Sequence, residues 1–595
     1  MGHLNFFGID NFKVFKDLNR FEIKPITILV GKNSSGKSSL SKGILLPKTS
    51  FEKIEYVSSY SEGTTFISMR ETEQLFFQSK MNLGNFTNCI NNKSDNPYIS
   101  FELPISFPPL QDSFIWRFVY EKSNNSLQNG ELKEIRIIHS DTATQVLHFE
   151  QQSETLKINF SFLKKKLDNE MSNSEGYDEN VQTSFNLIKF PFLFEERYLR
   201  SMQNRLNIDN DDLENLVKIC NVVKLKLSSK TDNIAEYLRQ LEIESLDELL
   251  IQNNADFDDR GFSYVLNNLL DVRKTRFNKS LQDSPLILTT IRKMIEKESL
   301  LEDVEQLYLM FGQNSFNILD SNINRNKWID FSYFMKDFIY SGIEASLNKL
   351  REAYVDTHFI PAVRTKMDRF FRTEESISYL HEVLFEYHGT SRSEETEQFI
   401  GSYILKLDLA DRIEIKMMDD SSGSKIYLWK DSKKQELADV GYGMAQVLPI
   451  ILKLGLLISG RELNEINWVS EEDFFENPIL VIIEEPETNL HPALQSKLID
   501  MFIECHEKYN IQFILETHSE YLIRKLQYLT AKKEFAAKDS VIYYFNDPNN
   551  ISTGEKQVKK IEILEDGRLS SPFGTGFYDE TAKIMSALLT GENLN

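Results

Sequence analysis

The sequence predicts an α/β chain: a core of buried strands and helices, an antiparallel β-lobe beside it, and an inserted helical domain. Three observations carry this. Short apolar runs, Ile26–Val30, Ile479–Ile483 and Ile511–Leu515, read as buried strands because each is brief and rich in β-branched residues. Between residues 65 and 160, repeated alternation of apolar and polar residues marks half-buried antiparallel strands. From Lys164 to Val355 the period changes to that of helices.

Taken in order, the chain opens with Phe6-Phe7-Gly8-Ile9 and Phe12–Phe15, read as paired strands leading into the central sheet. After the strand at Ile26–Val30, a short helix is expected to stop near Leu46, before Pro47. The β-lobe follows in Tyr98–Leu103, Ser113–Tyr120, Glu134–Ile138, Thr144–Phe149 and Thr155–Phe162. In the helical stretch, Ile234, Tyr237, Leu238 and Leu241 share one face, as do Ile343, Leu347, Leu350 and Tyr354. No heptad persists, so a long coiled-coil arm is not expected. The β pattern returns with a hairpin around Asp419–Gly423, then an apolar helix opening at Gly441. The strand ending at Glu484-Glu485, the helix Pro492–Lys508 and the strand before Thr517-His518-Ser519 complete the core. The expected division is 1–163 and 356–535 for the two halves of the core, 164–355 for the insertion, and 536–595 for a small C-terminal domain.

Composition narrows the class. With 595 residues, 41% hydrophobic and 27% charged, the chain is expected to be cytoplasmic, with no apolar run long enough to span a bilayer and no secretory leader. Cys89, Cys220 and Cys505 form neither a disulfide framework nor a zinc pattern. A net charge of −22 argues against coating nucleic acid through general charge. Local basic groups remain at Lys164–Lys166, at Arg273, Lys274 and Arg276, and at Arg364, Lys366, Arg369 and Arg372. Each is more often a solvated face than a DNA site.

The chemistry concentrates in residues 30–39, where Gly31, Gly36, Lys37 and Ser38 satisfy G-x-x-x-x-G-K-[ST]. Two glycines let the backbone curl so that successive N–H groups point at one phosphate, and the helix that follows adds its positive end. Lys37 suits the β- and γ-phosphates of a nucleotide, and the Ser38 hydroxyl suits Mg²⁺. A chance Gly/Ser loop matches less well because a buried strand precedes the motif. Glu484 and Glu485 end a buried strand, where carboxylates are costly unless they meet a cation or move protons. Glu484 fits a water-mediated contact to Mg²⁺, and Glu485 fits polarising an attacking water. The competing reading is two carboxylates at a helix start near Pro486. Ligands of open α/β sheets bind at the carboxyl ends of strands, which points all three strand-end motifs toward one site.

These motifs together resemble the ABC-type ATPase heads of the RecF, SMC and OLD class. The resemblance rests on Gly31–Ser38, VGYGMAQ at 440–446, ILVIIEEPETNLHPALQSKL at 479–498 and ILETHSEYLI at 514–523. Within that class the chain is most similar to stand-alone bacterial ATPases of the anti-phage Septu type. These carry a short C-terminal domain of unknown function, matched here at 558–581, and NLGNFTNCI (82–90) and FIPAVRTKMDRFF (359–371) also resemble that group. The resemblance implies a P-loop ABC-type head with ATP and Mg²⁺ as cofactors. It makes Gly31, Asn33, Ser34, Gly36, Lys37, Ser38 and Ser39 the Walker A loop, Glu484 the Walker B acid, Glu485 the catalytic glutamate and His518 the switch histidine. Asn489-Leu490-His491 becomes the loop that meets a partner subunit. Residues 440–446 fall at the ABC signature, with Gly441 where Ser is expected and backbone donors near Gly443. The implied partners are a second copy of the chain and a separate nuclease, of His-Asn-His or other type. Neither a His-Asn-His pattern nor Toprim acidic motifs are visible, so no intrinsic nuclease is expected. The alternative is a DNA-repair or chromosome-maintenance ATPase that binds DNA directly.

Overall fold

The computed structural model describes residues 4–48, 83–107, 112–123, 129–150, 155–158, 356–366, 368–372, 378–418, 422–466, 478–548 and 555–574, with isolated positions between and after them. Chain order begins with β1 (Phe6–Asp10), β2 (Asn19–Glu22), β3 (Ile26–Gly31) and α1 (Lys37–Leu45). Next come β4 (Gln74–Leu75), α2 (Phe86–Cys89), and the strands β5 (Tyr98–Phe107), β6 (Asp112–Lys122), β7 (Gly130–His139), β8 (Gln145–Glu150) and β9 (Thr155–Ile158). After the insertion follow β10 (Thr357–Ile360), β11 (Phe371–Arg372), α3 (Tyr379–Gly389), α4 (Glu394–Lys406), β12 (Arg412–Met417), β13 (Gly423–Lys430) and β14 (Lys433–Glu436). The last part holds α5 (Tyr442–Ile466), β15 (Ile479–Glu484), α6 (Pro492–Tyr509), β16 (Ile511–Glu516), α7 (Glu520–Ala531), β17 (Ser540–Phe545) and β18 (Val558–Ile561).

Three sheets organise these elements. The central one has the order β10-β15-β16-β3-β17-β18, parallel except for β18. Its strands β3, β16 and β17 are buried at every residue, as expected when helices and a second sheet cover both faces. An antiparallel sheet in the order β2-β1-β5-β6-β7-β8-β9, with β4 on β7, forms the lobe. Its core packs Phe7, Phe21, Phe101 and Trp116 against Leu29, Tyr543 and Phe545 of the central sheet. A small sheet of β11, β13, β12 and β14 contains the hairpin expected around Asp419–Gly423.

The paired strands expected at the N-terminus differ. Phe12 and Phe15 meet only in an isolated one-residue bridge, with Asn11 and Lys13, on either side of Phe12, at positive φ. The partners of β1 are β2 and β5, so it belongs to the lobe rather than to the central sheet. Residues 536–595, set apart above as a small domain, supply β17 to the central sheet, where Phe545 pairs with Gly31. Most of the helical insertion lies outside the described residues, including the face of Ile234, Tyr237, Leu238 and Leu241. At its end Ile343, Leu347, Leu350 and Tyr354 are helical and buried in the lobe core.

Contrary to the sequence expectation, one described helix is long and apolar enough to cross a membrane, Tyr442–Gly460 within α5. Burial inside the protein covers 83% of that stretch, so the apolarity serves the core between α3, α4 and α6. Its one charged side chain in the middle, Lys453, is paired with Glu386 at 2.7 Å.

Candidate active site

Because β15, β16 and β3 run parallel and side by side, their carboxyl ends reach one edge together. Glu484 pairs in register with Glu516, and Glu516 with Leu29, two residues before the phosphate loop begins. Residues far apart in sequence are thereby placed around a single loop.

The loop geometry depends on its glycines. Gly31 has φ 148° and Gly36 φ 115°, values that side chains rarely adopt. A Cβ on Gly31 would lie 2.4 Å from the Phe545 carbonyl oxygen, and one on Gly36 2.4 Å from Val14 Cγ2. Ser34 is also left-handed, at φ 62°, while Lys32, Asn33 and Ser34 are exposed at the loop crest. Gly36 caps α1, which starts at Lys37, so the free N–H groups of the first turn open toward the loop. Ser39 lies half-buried in that turn, its N–H already bonded to Gly36 O at 3.0 Å.

Lys37 is buried and folds over the loop, donating to Gly31 O and Lys32 O, each at 3.0 Å. An ammonium has three donors, so one remains for a ligand. Burial lowers the Lys37 pKa, opposed by the nearby Glu516, Glu485 and Glu487. Ser38 Oγ donates to Glu516 Oε1 at 2.6 Å. Glu516 is 6% exposed, its other oxygen has no hydrogen-bond partner, and burial pushes its carboxyl up to about 7.

On the adjoining strand, Glu484 Oε2 accepts from Ala362 N at 3.4 Å. Glu485 has φ 43° and is held from three directions. Its N–H donates to Glu516 O at 2.7 Å, its carboxylate accepts from Thr488 Oγ1 at 2.8 Å, and its carbonyl accepts from Arg364 Nη2 at 2.7 Å. Strain of this kind costs about 1–3 kcal/mol and persists only where surroundings enforce it. His518 is exposed past the end of β16, its N–H donating to Glu487 Oε1 at 2.7 Å. Desolvation and the Lys37 charge lower its imidazole pKa. The next residue, Ser519, caps α7 through Leu522 N and donates to Gln495 Oε1 at 2.6 Å, tying the loop to α6.

A second cluster forms from the other motifs. Gly443, in the first turn of α5, packs against Asn489, where an added Cβ would lie 2.4 Å from the Asn489 carbonyl oxygen. Gly441 opens into free space, with nothing within 4 Å of such a Cβ. Asn489 is exposed with φ 62°, and His491 caps α6 ahead of Pro492.

Three residues at the site were not singled out from sequence. Glu516 ends an apolar strand one residue beyond the expected boundary, and a carboxylate closing such a run was the available signal. Glu487 is buried beside His518, and burial raises its pKa. Arg364 was placed among the surface basic groups, whereas it is fully buried and its pKa is pushed down to about 10 by that burial. Its neighbour Arg369 is paired with Asp439 and Glu436.

The donor set fits a nucleotide with a divalent cation. The glycine cradle leaves no room for side chains, Lys37 has a donor to spare, and Glu516 presents an unpartnered oxygen beside Ser38. Four acidic side chains (Glu484, Glu485, Glu487 and Glu516) beside Lys37 and Arg364 make a site that favours a further cation before it accepts a polyanion. Among the described residues, no group of three His, Cys, Asp or Glu side chains closes a protein-only metal cage. Mg²⁺ fits that arrangement, since it keeps waters and takes few protein ligands.

No curated protein matches the sequence. Solved structures similar to it include an Smc head domain with coiled coil and joint from Pyrococcus yayanosii, 11% identical, covering 95% of this chain and 98% of that one at a TM-score of 0.29. Another is an SMC head domain from Thermotoga maritima, 9% identical, covering 96% and 100% at a TM-score of 0.30. Residues 536–588 match a family described as a protein of unknown function (DUF3696). Residues 3–523 match the AAA ATPase domain family, so most of the chain, phosphate loop and both strand-end motifs included, is covered by one match, and the chain belongs to that family.

Proposed function

We propose that this chain binds and hydrolyses ATP with Mg²⁺ as a dimer of heads, and that the nucleotide state of the dimer governs a separate nuclease effector in bacterial anti-phage defence. One observation carries the first half: parallel pairing of β15, β16 and β3 brings Lys37, Ser38, Glu484 and Glu485 to a single sheet edge. The cradle from Gly31 to Ser38 binds the phosphates, with Lys37 turning its remaining donor to them. Ser38 and Glu484 hold the cation, which when bound offsets phosphate charge and polarises the γ-phosphate. Glu485 takes the proton of the attacking water, and the enforced φ of 43° fixes where its carboxylate stands. His518 is placed to report the γ-phosphate to α7.

The second half is supported by the resemblance to Septu-type ATPases and by the match of 536–588 to a family of unknown function, the type of C-terminal domain that accompanies them. Gly441 and Gly443 at the start of α5, beside Asn489, form the face offered to the partner head's nucleotide. ATP held between two heads favours the closed dimer by its differential affinity for that state. The alternative is direct DNA binding; of the basic groups named for it, Arg364 is buried and Arg369 is paired with Asp439 and Glu436, while Lys164–Lys166 and Arg273, Lys274 and Arg276 lie outside the described residues.

The test is calorimetric titration of ATP into wild type and Lys37→Ala. Loss of one charge-assisted contact of about 1.5–3 kcal/mol predicts roughly 10–100-fold weaker binding. Equal affinity in the two proteins sinks the site. The effector is tested by incubating the pure chain with DNA and RNA, ATP and Mg²⁺, then repeating with the product of a neighbouring nuclease gene. Cleavage is expected only in the second arm.

A further inference from the structure

Glu516 occupies a position that the proposed chemistry leaves unexplained. It ends the middle strand of the three that build the site, flanked in register by Glu484 on one side and Leu29 on the other. It is nearly buried, at 6% exposure, one carboxylate oxygen accepts the Ser38 hydroxyl at 2.6 Å, and the other has no partner. Its main-chain oxygen meanwhile accepts the Glu485 N–H at 2.7 Å. One residue therefore grips both the serine offered to the cation and the glutamate offered to the water.

A hydroxyl that ligates a cation must turn a lone pair toward it and send its proton elsewhere. Ser38 in this structure already sends its proton to Glu516, which leaves both lone pairs facing away from the carboxylate. With Glu516 ionised, the form a neighbouring cation favours, the carboxylate also enriches the hydroxyl oxygen, making it a better ligand than a serine bonded to water. Burying a carboxylate here is unfavourable, so a purely structural role has a ready substitute in an apolar residue. We infer that Glu516 is a positioning residue for the cation: through Ser38 it sets the orientation and donor strength of the serine ligand, while its main-chain oxygen keeps Glu485 in its left-handed turn.

This rests on the reading of the loop as a site for nucleotide with Mg²⁺, and the experiment separates the two. Mn²⁺ stands in for Mg²⁺, and its binding to the chain with bound ADP is followed by electron paramagnetic resonance. ADP binding is measured separately in EDTA. Partners of a metal ligand are typically worth about 10–100-fold in metal affinity, and Glu516→Ala is expected to lose that much. ADP affinity in EDTA should stay within about twofold, because no phosphate contact is removed. Ser38→Ala/Glu516→Ala should bind Mn²⁺ no more weakly than Ser38→Ala, since the two residues act as a unit. Glu516→Gln retains an oxygen acceptor without charge and should lose only about three- to tenfold. It decides the matter if the alanine variant does not fold. Mn²⁺ affinity unchanged in both Glu516 variants overturns the inference, as does a further tenfold loss on the Ser38→Ala background. Failure of the wild type to bind ADP overturns the nucleotide site instead.

Discussion

Arg364 donates through Nη2 to the main-chain oxygen of Glu485 at 2.7 Å, and through the same nitrogen to that of Glu484 at 2.5 Å. Further contacts run to Gln446 in α5, whose side-chain oxygen accepts the Arg364 N–H at 3.3 Å and whose carbonyl accepts Nη1 at 3.5 Å. A single buried guanidinium thus joins the turn that carries Glu485 to the helix that begins with Gly441 and Gly443. Planar, multiple donors suit this task in a way an ammonium does not.

Arg364→Leu leaves the carbonyls of Glu484 and Glu485 without their donor. Each unsatisfied buried group costs about 1–3 kcal/mol, so the loss for the two is expected to be roughly 2–6 kcal/mol in urea unfolding. ATP turnover should fall more than ATP affinity, because the phosphate loop is untouched while Glu485 is free to leave its strained turn. Turnover equal to wild type would show that Arg364 only fills the core.

Glu485→Gln keeps the shape of the turn and its hydrogen bond from Thr488, but removes the base. Hydrolysis should drop by about 10²–10⁴-fold, the range for a positioned proton acceptor, with ATP binding preserved. Single-turnover assays with labelled ATP check it. Rapid hydrolysis by this variant would move the base to another residue, with Glu487 and Glu516 next in line by position.

The contrast between Glu485 and Glu516 shows what the sequence could disclose. Strands β3, β15 and β16 were legible because both faces are buried and their apolar runs are continuous. Motif spacing named Lys37, Ser38, Glu484 and Glu485 for the same reason: each lies beside its own strand end. Glu516 gains its meaning only from pairing with β15 and β3, which are remote in sequence. Arg364 looks like any surface arginine until the carbonyls at Glu484 and Glu485 and the side chain of Gln446 converge on it. The local pairing expected for Phe12–Phe15 failed for a related cause. Positive φ at Asn11 and Lys13 closes a tight turn there, and β1 pairs with the more distant Asn19–Glu22 and Tyr98–Phe107 strands.

A pH-dependent prediction concerns the clamp between α4 and α6. Burial alone would raise the Glu504 pKa, but the Tyr403 hydroxyl and the ammonium groups of Lys406 and Lys508, each 2.9 Å away, bring it down to about 2. A folded pKa below the unfolded one means the clamp contributes stability above the ordinary carboxylate range, near 4.5, and loses it as pH falls toward 2. Glu504→Gln should therefore melt earlier than wild type at pH 7, with the gap narrowing steadily below pH 4.5. Melting temperatures across that range test the sign, and a gap that widens in acid would refute the assignment.

The final prediction concerns whether one subunit's phosphate loop works against another's signature segment. Gly443 is unsuitable for the experiment, because any side chain there meets the Asn489 carbonyl of its own subunit and disturbs two elements together. Gly441 is suitable, since a Cβ there meets nothing within 4 Å and it lies at the exposed start of α5. Gly441→Asp should fold normally yet repel a nucleotide presented by a partner, placing a carboxylate where backbone donors are offered to phosphate. Alone, Gly441→Asp and Lys37→Ala chains should each be inactive. Mixed and allowed to exchange, they form dimers in which one composite site has an intact loop and an intact signature, while the other carries both defects. Activity should return to about one working site per mixed dimer, peaking at equal proportions. Differently tagged chains, captured in sequence, establish that the mixed dimer exists before activity is measured. An active Gly441→Asp homodimer, or a mixed dimer that stays silent, would place the whole reaction within one head.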